Sequence, residues 1–256
     1  MKLIRVGAIA RYTVLEAWRN RLIVVVLTAT ALLFLLSVFA RELAVTESTR
    51  LQTALLASAL RLASVFFVGL YILNGLTREF NDKVVELMLS LDLPRPAYLL
   101  GKFCGFALVA IGVAAIATIP VLVLAPPSRA LYWGFSLGLE LLIVAAVSVF
   151  CITTFTQLLS AAAFVAAFYL LGRSVTAIQL MSSASLVNEG GPGQKAGEWL
   201  ADGMAFLLPR LDAFTQTSWL IDGGSAGAMG SAIVQSALYV ALLLAAAMFD
   251  LYRKNF

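Results

Sequence analysis

The sequence predicts an all-α integral membrane protein with six transmembrane helices, and three observations support this prediction. Hydrophobic residues make up 61% of the 256 residues and charged residues only 12%, whereas about 25% of a soluble domain is charged. Six apolar runs are long enough to cross a bilayer as helices, which takes about 20 residues each. The Lys and Arg residues beside these runs fall mainly on one side of the membrane. We therefore expect a single transmembrane domain that includes residues 1–256.

The amino-terminal residues 1–21 predict an amphipathic helix that lies in the membrane interface. Arg5, Arg11 and Arg19 interrupt their apolar positions, and no small-residue cleavage site follows, so we do not expect a secretory signal. One side of the predicted helix consists of Leu3, Val6, Ala10, Val14 and Trp18.

The six predicted spans cover residues 22–40, 54–76, 103–124, 131–155, 158–181 and 231–249. Arg19 and Arg21 precede the first span and place the amino terminus in the cytoplasm. An even number of spans returns the carboxyl terminus to the same side. The long connection 182–230 then lies outside, where its apolar parts 196–208 and 211–221 predict a hairpin of two short helices at the outer interface.

The segment 77–102 is the only long charged segment between apolar runs. Phe80, Val84 and Leu87 recur in it at helical spacing, which indicates a short amphipathic helix. Its other side consists of Glu79, Asp82, Lys83 and Glu86. Pro94 and Pro96 end the predicted helix, because proline lacks the N–H that the next turn needs. Such a helix at the cytoplasmic surface suits a membrane subunit that a soluble partner moves.

This segment resembles the cytoplasmic loop of the permease subunits of type-two ATP-binding-cassette (ABC) exporters, within them the multi-copper-enzyme-maturation permease group. The family pattern has an acidic helix start, then Glu-x-Leu-Leu-x-Leu-Pro, then an Arg and a Gly-Lys pair that opens the next span. The residues at these places are Glu79, Glu86, Leu87, Leu89, Pro94, Arg95, Gly101 and Lys102. The sequence departs from the pattern at Val84 and Val85, where the family often has Gly-Thr, and in the additional Asp92.

The resemblance implies a permease that works as a homodimer, or as a heterodimer with a related permease, in the bacterial inner membrane. Separate ABC ATPase subunits would bind ATP and Mg²⁺, so no cofactor is expected in this chain. In the family the loop helix lies in a groove of the ATPase. The resemblance therefore assigns ATPase coupling to Glu79, Phe80, Asp82, Lys83, Val84, Glu86, Leu87, Pro94 and Arg95.

Three charged residues fall inside predicted spans, where a charge is costly and suggests function. Arg61 and Glu140 each lie about 12 Å below the outer boundary at the helical rise of 1.5 Å per residue, so they are able to pair. Arg173 lies somewhat higher on the fifth span. We expect these three residues to form a polar cluster in the outer half, which either locks the bundle or takes part in substrate passage.

Several classes of function are disfavoured by the sequence. The chain has no His, which removes the commonest general base and metal ligand. It has no phosphate-binding loop, because Gly101-Lys102 is followed by Phe103, and it has no nucleic-acid signature. We therefore expect no catalytic residue and no metal site, and regard an intramembrane enzyme as a weak alternative.

The leading prediction is export or extraction of a lipid-like, apolar or peptide substrate, because few charges lie in the spans. The main alternative is a membrane scaffold of an ABC-type assembly complex that has no continuous transport path. Besides membrane lipids, an accessory or periplasmic protein is a possible partner, through residues 182–230.

Overall fold

A computed structural model describes residues 2–43, 48–83, 94–155, 157–183, 203, 208–221, 223–224 and 226–253. These residues are almost entirely helical. The helices are α1 Lys2–Arg19, α2 Leu22–Leu43, α3 Ser48–Asn81, α4 Arg95–Leu124, α5 Pro127–Thr154, α6 Leu158–Ser183, α7 Ser218–Ile221 and α8 Ala226–Arg253. Six of the described helices, α2 to α6 and α8, are long and apolar enough to cross a membrane. The predicted all-α fold with six spans is thus confirmed.

Helix α5 lies at the centre of the bundle. In its most apolar window 72% of the residues are buried, against 17% in α2 and in α8, so these two helices lie at the periphery. Helices α3, α4, α6 and α8 all pack against α5. Small residues allow the closest approach, because a Cβ atom at Gly134 of α5 would collide with Thr118 of α4. Such small-residue contacts are how helices pack in a membrane, where burial of apolar surface gives little driving force.

The two chain ends lie at the same end of this bundle. At the start of α4, Arg95 Nη1 donates hydrogen bonds to the carbonyl oxygens of Leu251 and Tyr252 near the end of α8, at 2.8 and 3.1 Å. Helix α1 reaches the end of α3 at this level, where Arg78 contacts Glu16. We call this the Glu79 end of the bundle. The opposite end, which we call the Glu140 end, contains the turn at Ala125 and residues 208–221.

Helix α1 packs against α4 at very short range. A Cβ atom at Gly105 would lie 2.5 Å from Thr13 Cβ, and one at Gly101 would lie 2.9 Å from Ile9 Cβ. The buried face of α1 therefore consists of Ile9, Ala10, Thr13 and Ala17. This face differs from the predicted one at Trp18, which is exposed. The two glycines on α4 determine which side of α1 is able to pack closely against α4.

The connection between the second and third spans is shorter than the sequence predicts. Helix α3 continues to Asn81 without a break and α4 begins at Arg95, so both helices extend beyond the predicted inner ends of the second and third spans, residues 76 and 103. Glu79 and Phe80 belong to α3. The helix ends at Asn81 and is terminated by Lys83 in the left-handed conformation, with a φ of 55° and an N–H that bonds to Phe80 O at 3.3 Å.

The prolines at the end of this connection belong to the start of α4. Pro94 occupies the N-cap position of α4 and Pro96 lies in its first turn, where a missing N–H has no cost. Pro96 therefore opens α4. The predicted amphipathic helix extends into residues 84–93, which lie outside the described residues.

The outer segment differs from the predicted helical hairpin. Of the first predicted helix, 196–208, only residues 203 and 208 are described. The second, 211–221, is not continuous: a 3-10 turn at Leu211–Ala213 is followed by Thr215, with φ 49°, and then by α7. The remaining spans begin or end within a few residues of their predicted bounds, and α8 extends furthest beyond them.

Candidate functional site

A buried cluster of charged and phenolic side chains lies at the Glu79 end, at the base of the connection 82–94. Glu79 Oε1 forms an ion pair with Lys102 Nζ of α4. Glu79 Oε2 accepts a hydrogen bond of 2.7 Å from the hydroxyl of Tyr98. Glu79 is 8% exposed and Lys102 only 2%. The carboxylate is thus satisfied within the chain by two groups from the next helix.

Helix α1 joins the same cluster through Glu16. Arg78 Nη2 donates to Glu16 Oε1 at 2.5 Å, and Lys102 Nζ lies 4.0 Å from Glu16 Oε2. The Tyr71 hydroxyl of α3 donates to Thr13 O of α1 at 3.4 Å. Helices α1, α3 and α4 are therefore held together by polar contacts, which we name the root cluster: Glu16, Arg78, Glu79, Tyr98 and Lys102.

The root cluster connects α3, which leads into the connection 82–94, to α4, which follows it. Separating Glu79 from Lys102 would leave a buried charge without its partner, and breaking a buried pair in this way costs about 3–5 kcal/mol. The two helix ends are therefore expected to move as one unit. A force on the connection reaches α3, α4 and α1 together.

The structure places the residues predicted for ATPase coupling in three different settings. Glu79 points inward, and its carboxylate is occupied by Lys102 and Tyr98. Phe80 is half-buried, whereas Asp82 and Lys83 are exposed. Arg95, after Pro94, holds the end of α8. The residues outside the described part are Val84, Glu86 and Leu87.

A second cluster lies inside the bundle toward the Glu140 end. Glu140 of α5 is fully buried, and its carboxylate is 3.4 Å from Arg173 Nη1 and accepts a 2.9 Å hydrogen bond from the Tyr169 hydroxyl. The hydroxyl of Thr215 donates to the other carboxylate oxygen. Three sequence-distant groups therefore satisfy one buried charge.

The three predicted intramembrane charges are grouped here, but not in the predicted pairing. Arg173 forms the ion pair with Glu140, whereas Arg61 Nη1 donates to Thr215 O at 3.3 Å. Arg173 Nη1 also donates to Leu211 O at 2.7 Å and to Phe214 O at 3.2 Å. The two guanidinium groups thus bind backbone carbonyls of residues 211–215, which explains why this part of the outer segment is not a regular helix.

The segment 208–221 is seated on the bundle by these contacts. Thr215 N donates to Ser136 Oγ at 3.1 Å, and the Trp219 ring packs edge-on against Tyr132, with centroids 5.1 Å apart. Leu211 and Phe214 are fully buried. The cluster around Glu140 therefore anchors a cap over this end of the bundle.

Sequence reasoning missed four participants in the two clusters: Glu16, Tyr98, Tyr169 and Thr215. Glu16 is the only acidic residue of α1, and this feature of the sequence could have indicated a polar contact. The two tyrosines lie in apolar runs and resemble ordinary packing residues. Thr215 gave no signal because its role depends on a loop conformation.

Among the described residues, no group of three or more His, Cys, Asp or Glu side chains is arranged to hold a metal ion. Comparison of the sequence with protein-family models and with curated proteins finds no match. The length and hydropathy of its helices identify the chain as a multi-pass, all-helical membrane protein.

Proposed function

We propose that this chain is the transmembrane permease subunit of an ABC exporter that couples ATP hydrolysis by separate ATPase subunits to movement of a substrate. The chain itself catalyses nothing in this proposal, and the partner ATPases bind ATP and Mg²⁺. Two permease copies, or this chain and a related permease, form the membrane part. The substrate class is lipid-like, apolar or peptide.

The observation that supports the proposal most is the buried Glu79–Lys102 pair, which closes the base of the charged connection 82–94. A surface loop that only joined two spans would not need a buried ion pair between its roots, since desolvating two charges is expensive. A loop through which a partner moves the membrane helices needs to be attached rigidly to those helices. The root cluster also includes α1, so the movement reaches three helices.

The roles of the coupling residues follow from their positions. Asp82 and Lys83 are exposed at the start of the connection and, with Glu86, are the residues we assign to contact with charged groups of the ATPase. Glu79 transmits the movement through Lys102. Arg95 connects the same base to the end of α8.

The orientation in the membrane is part of the proposal. Basic residues near the helix ends at the Glu79 end are Arg19, Arg21, Arg78, Arg95 and Arg253, and an excess of Lys and Arg favours the cytoplasmic side. The Glu79 end then faces the cytoplasm of a bacterial cell, and both chain termini do as well. The cap 208–221 faces outward and is the place for an accessory or periplasmic partner.

The experiment is affinity purification of the tagged chain from membranes of its own host. We compare the natural chain with a variant in which residues 82–91 are replaced by a Gly-Ser linker of equal length. A protein with a phosphate-binding loop and ATPase activity should co-purify with the natural chain and be lost with the variant, while both insert into the membrane. Equal retention by both chains, or no ATPase with either, would contradict the proposal.

Reconstitution separates transport from the scaffold alternative. The purified complex in vesicles should move a substrate, or extract it from the bilayer, only with MgATP. Hydrolysis of ATP without movement of any lipid or peptide would instead favour a scaffold subunit.

A further inference from the structure

A cavity of about 560 Å³ opens at the Glu79 end between the α1–α2 turn and the last turns of α3. This volume lies within the range of small-ligand sites. The lining residues are Glu16, Asn20, Leu22, Val25, Phe67, Leu70, Tyr71, Asn74, Gly75, Thr77, Arg78, Asn81 and Asp82. Most of its wall is one face of α3, since these residues recur at helical spacing.

The lining changes from apolar to polar along the helix axis. Phe67 and Leu70 of α3 lie deeper in the bundle, facing the first turn of α2 at Leu22 and Val25. Asn74, Asn81 and the charged side chains lie toward the helix end. Phe67 and Asn81 are separated by about 21 Å along α3 at 1.5 Å per residue. A ligand that matches this gradient has an apolar part toward the membrane core and a polar part at the interface.

The polar part of the cavity has unused hydrogen-bonding capacity. Thr77 Oγ1 is buried and has no hydrogen-bond partner among the described residues. The side chains of Asn20, Asn74 and Asn81 line the same space, and none makes a side-chain hydrogen bond to another described residue. Buried polar groups normally have partners, so the unpaired Thr77 hydroxyl indicates a polar ligand, and the exposed amides of the three asparagines are available to the same ligand.

The charges around the cavity specify the kind of ligand. The Arg78 side chain is 61% exposed although one of its nitrogens contacts Glu16, so further N–H groups remain available to an anion. Arginine is well suited to phosphate. The carboxylates of Glu16 and Asp82 lie on the same lining. Two acids and one base suit a ligand with both an anionic and a cationic group better than one with a negative charge alone.

We propose that this cavity binds the headgroup of a zwitterionic aminophospholipid, such as phosphatidylethanolamine, from the adjacent leaflet. The phosphate lies against Arg78, and the ammonium group lies against Asp82 and Glu16. The amides of Asn74 and Asn81 and the Thr77 hydroxyl bond to the ester and phosphate oxygens. The first methylenes of an acyl chain pack on Phe67 and Leu70. The ligand is a membrane component, so its binding does not require the proposed ATPase partner, with whose contact it shares only Asp82.

Gly75 provides a means of closing the cavity without disturbing the protein. It lies on the cavity wall, and a Cβ atom at this position meets no atom of the described residues within 4 Å. A leucine at this position therefore extends into the ligand space. Gly230 in α8 is equally open and exposed but lies outside the cavity lining, which makes Gly230→Leu the matched control.

The test is native mass spectrometry of the full-length chain in detergent, titrated with phosphatidylethanolamine, phosphatidylcholine and phosphatidylglycerol of identical acyl chains. The natural chain should bind one phosphatidylethanolamine about tenfold more tightly than the other two lipids, a difference of about 1.4 kcal/mol. Gly75→Leu should lower that affinity about tenfold, and Gly230→Leu should leave it unchanged.

A second variant keeps the result decisive if Gly75→Leu does not fold. Asn74 and Asn81 are exposed, so Asn74→Leu with Asn81→Leu should keep the fold and still weaken phosphatidylethanolamine binding several-fold. Equal binding of the three lipids, tightest binding of phosphatidylglycerol, or unchanged affinity in the folded cavity variants would overturn the proposal.

Discussion

Glu79 near the end of α3 and Lys102 in the second turn of α4 form a buried ion pair across the base of the connection 82–94. The two residues are 23 positions apart in the chain, yet they join the helix that leads into the connection to the helix that leads out of it. Tyr98 and Glu16 complete the surroundings of the pair. We interpret it as the element that makes the ends of the connection rigid.

The first prediction is that each half of this pair stabilises the fold only in the presence of the other. Glu79→Leu leaves Lys102 buried without its closest counter-charge, which costs about 3–5 kcal/mol. The midpoint of thermal unfolding in detergent should fall by at least about 6 °C in a chain of this size. Lys102→Leu should show a similar loss.

The double variant separates the ion pair from simple packing. Glu79→Leu with Lys102→Leu removes both charges, and a buried pair replaced by apolar residues often keeps its stability, so most of the loss should be recovered. Glu42→Gln, at the exposed end of α2, is the control for a lost surface charge. Single variants as stable as the natural chain would show that the pair has no structural importance.

The second prediction concerns the close approach of α1 to α4. Gly105→Leu forces side-chain atoms into Thr13, and overpacking of this kind costs about 1–3 kcal/mol. Helix α1 should separate from α4, and trypsin should then cleave faster after the exposed Arg11 and Arg19. Gly112→Leu on the same helix meets no atom of the described residues within 4 Å of the added Cβ and should leave cleavage unchanged. Equal cleavage in both variants would contradict the close packing.

The third prediction is that Arg173 holds the cap 208–221 in place. Arg173→Leu removes the ion pair to Glu140 and the hydrogen bonds to Leu211 O and Phe214 O. Amide hydrogen exchange in peptides from residues 208–221 should accelerate by tenfold or more, since each lost 1.4 kcal/mol of protection is a factor of about ten.

The control for the cap is Ser174→Ala, whose hydroxyl, within the part of the chain that the structure describes, bonds only to Leu170 O in its own helix. Its exchange rates in the cap should match those of the natural chain. Unchanged exchange in Arg173→Leu would mean that apolar contacts such as Phe214 and Trp219 hold the segment without the charges.

The fourth prediction is that the connection 82–94 and both chain ends share one side of the membrane. In a background with Cys104 and Cys151 replaced by Ala, a cysteine at Lys83 should react with a membrane-impermeant maleimide only when the cytoplasmic face is open. A cysteine at Ser128, beside the opposite turn, should react in intact cells. The reverse pattern would invert the topology and remove the functional proposal.

The sequence was sufficient for the six spans, because runs of about 20 apolar residues leave few alternatives. It also predicted that Arg61, Glu140 and Arg173 lie close together, although with Arg61 as the partner of Glu140. It did not reveal that Glu79 is buried, since a charge after an apolar run usually indicates the end of a span. In this chain Lys102 neutralises that charge and Tyr98 donates a hydrogen bond to it, and α3 continues past it.

The outer cap was the least predictable part. Residues 211–221 have helical patterning, but the guanidinium groups of Arg61 and Arg173 bind the carbonyls of Leu211, Phe214 and Thr215, and this tertiary contact overrides the local preference. The pairing partner of Glu140 was predicted incorrectly for the same reason, because Arg61 donates a hydrogen bond to a backbone carbonyl oxygen of the cap. Only the fold brings these groups together.

The most direct measurement is photo-crosslinking in the host cell from a benzophenone amino acid at Lys83, the last described residue before the segment 84–93. We expect an adduct with a protein that contains a phosphate-binding loop, and no such adduct from the same probe at Ser128 at the opposite end. An ATPase adduct from Ser128, or none from Lys83 in a chain that is correctly inserted, would contradict the role of this connection as the site where an ATPase acts.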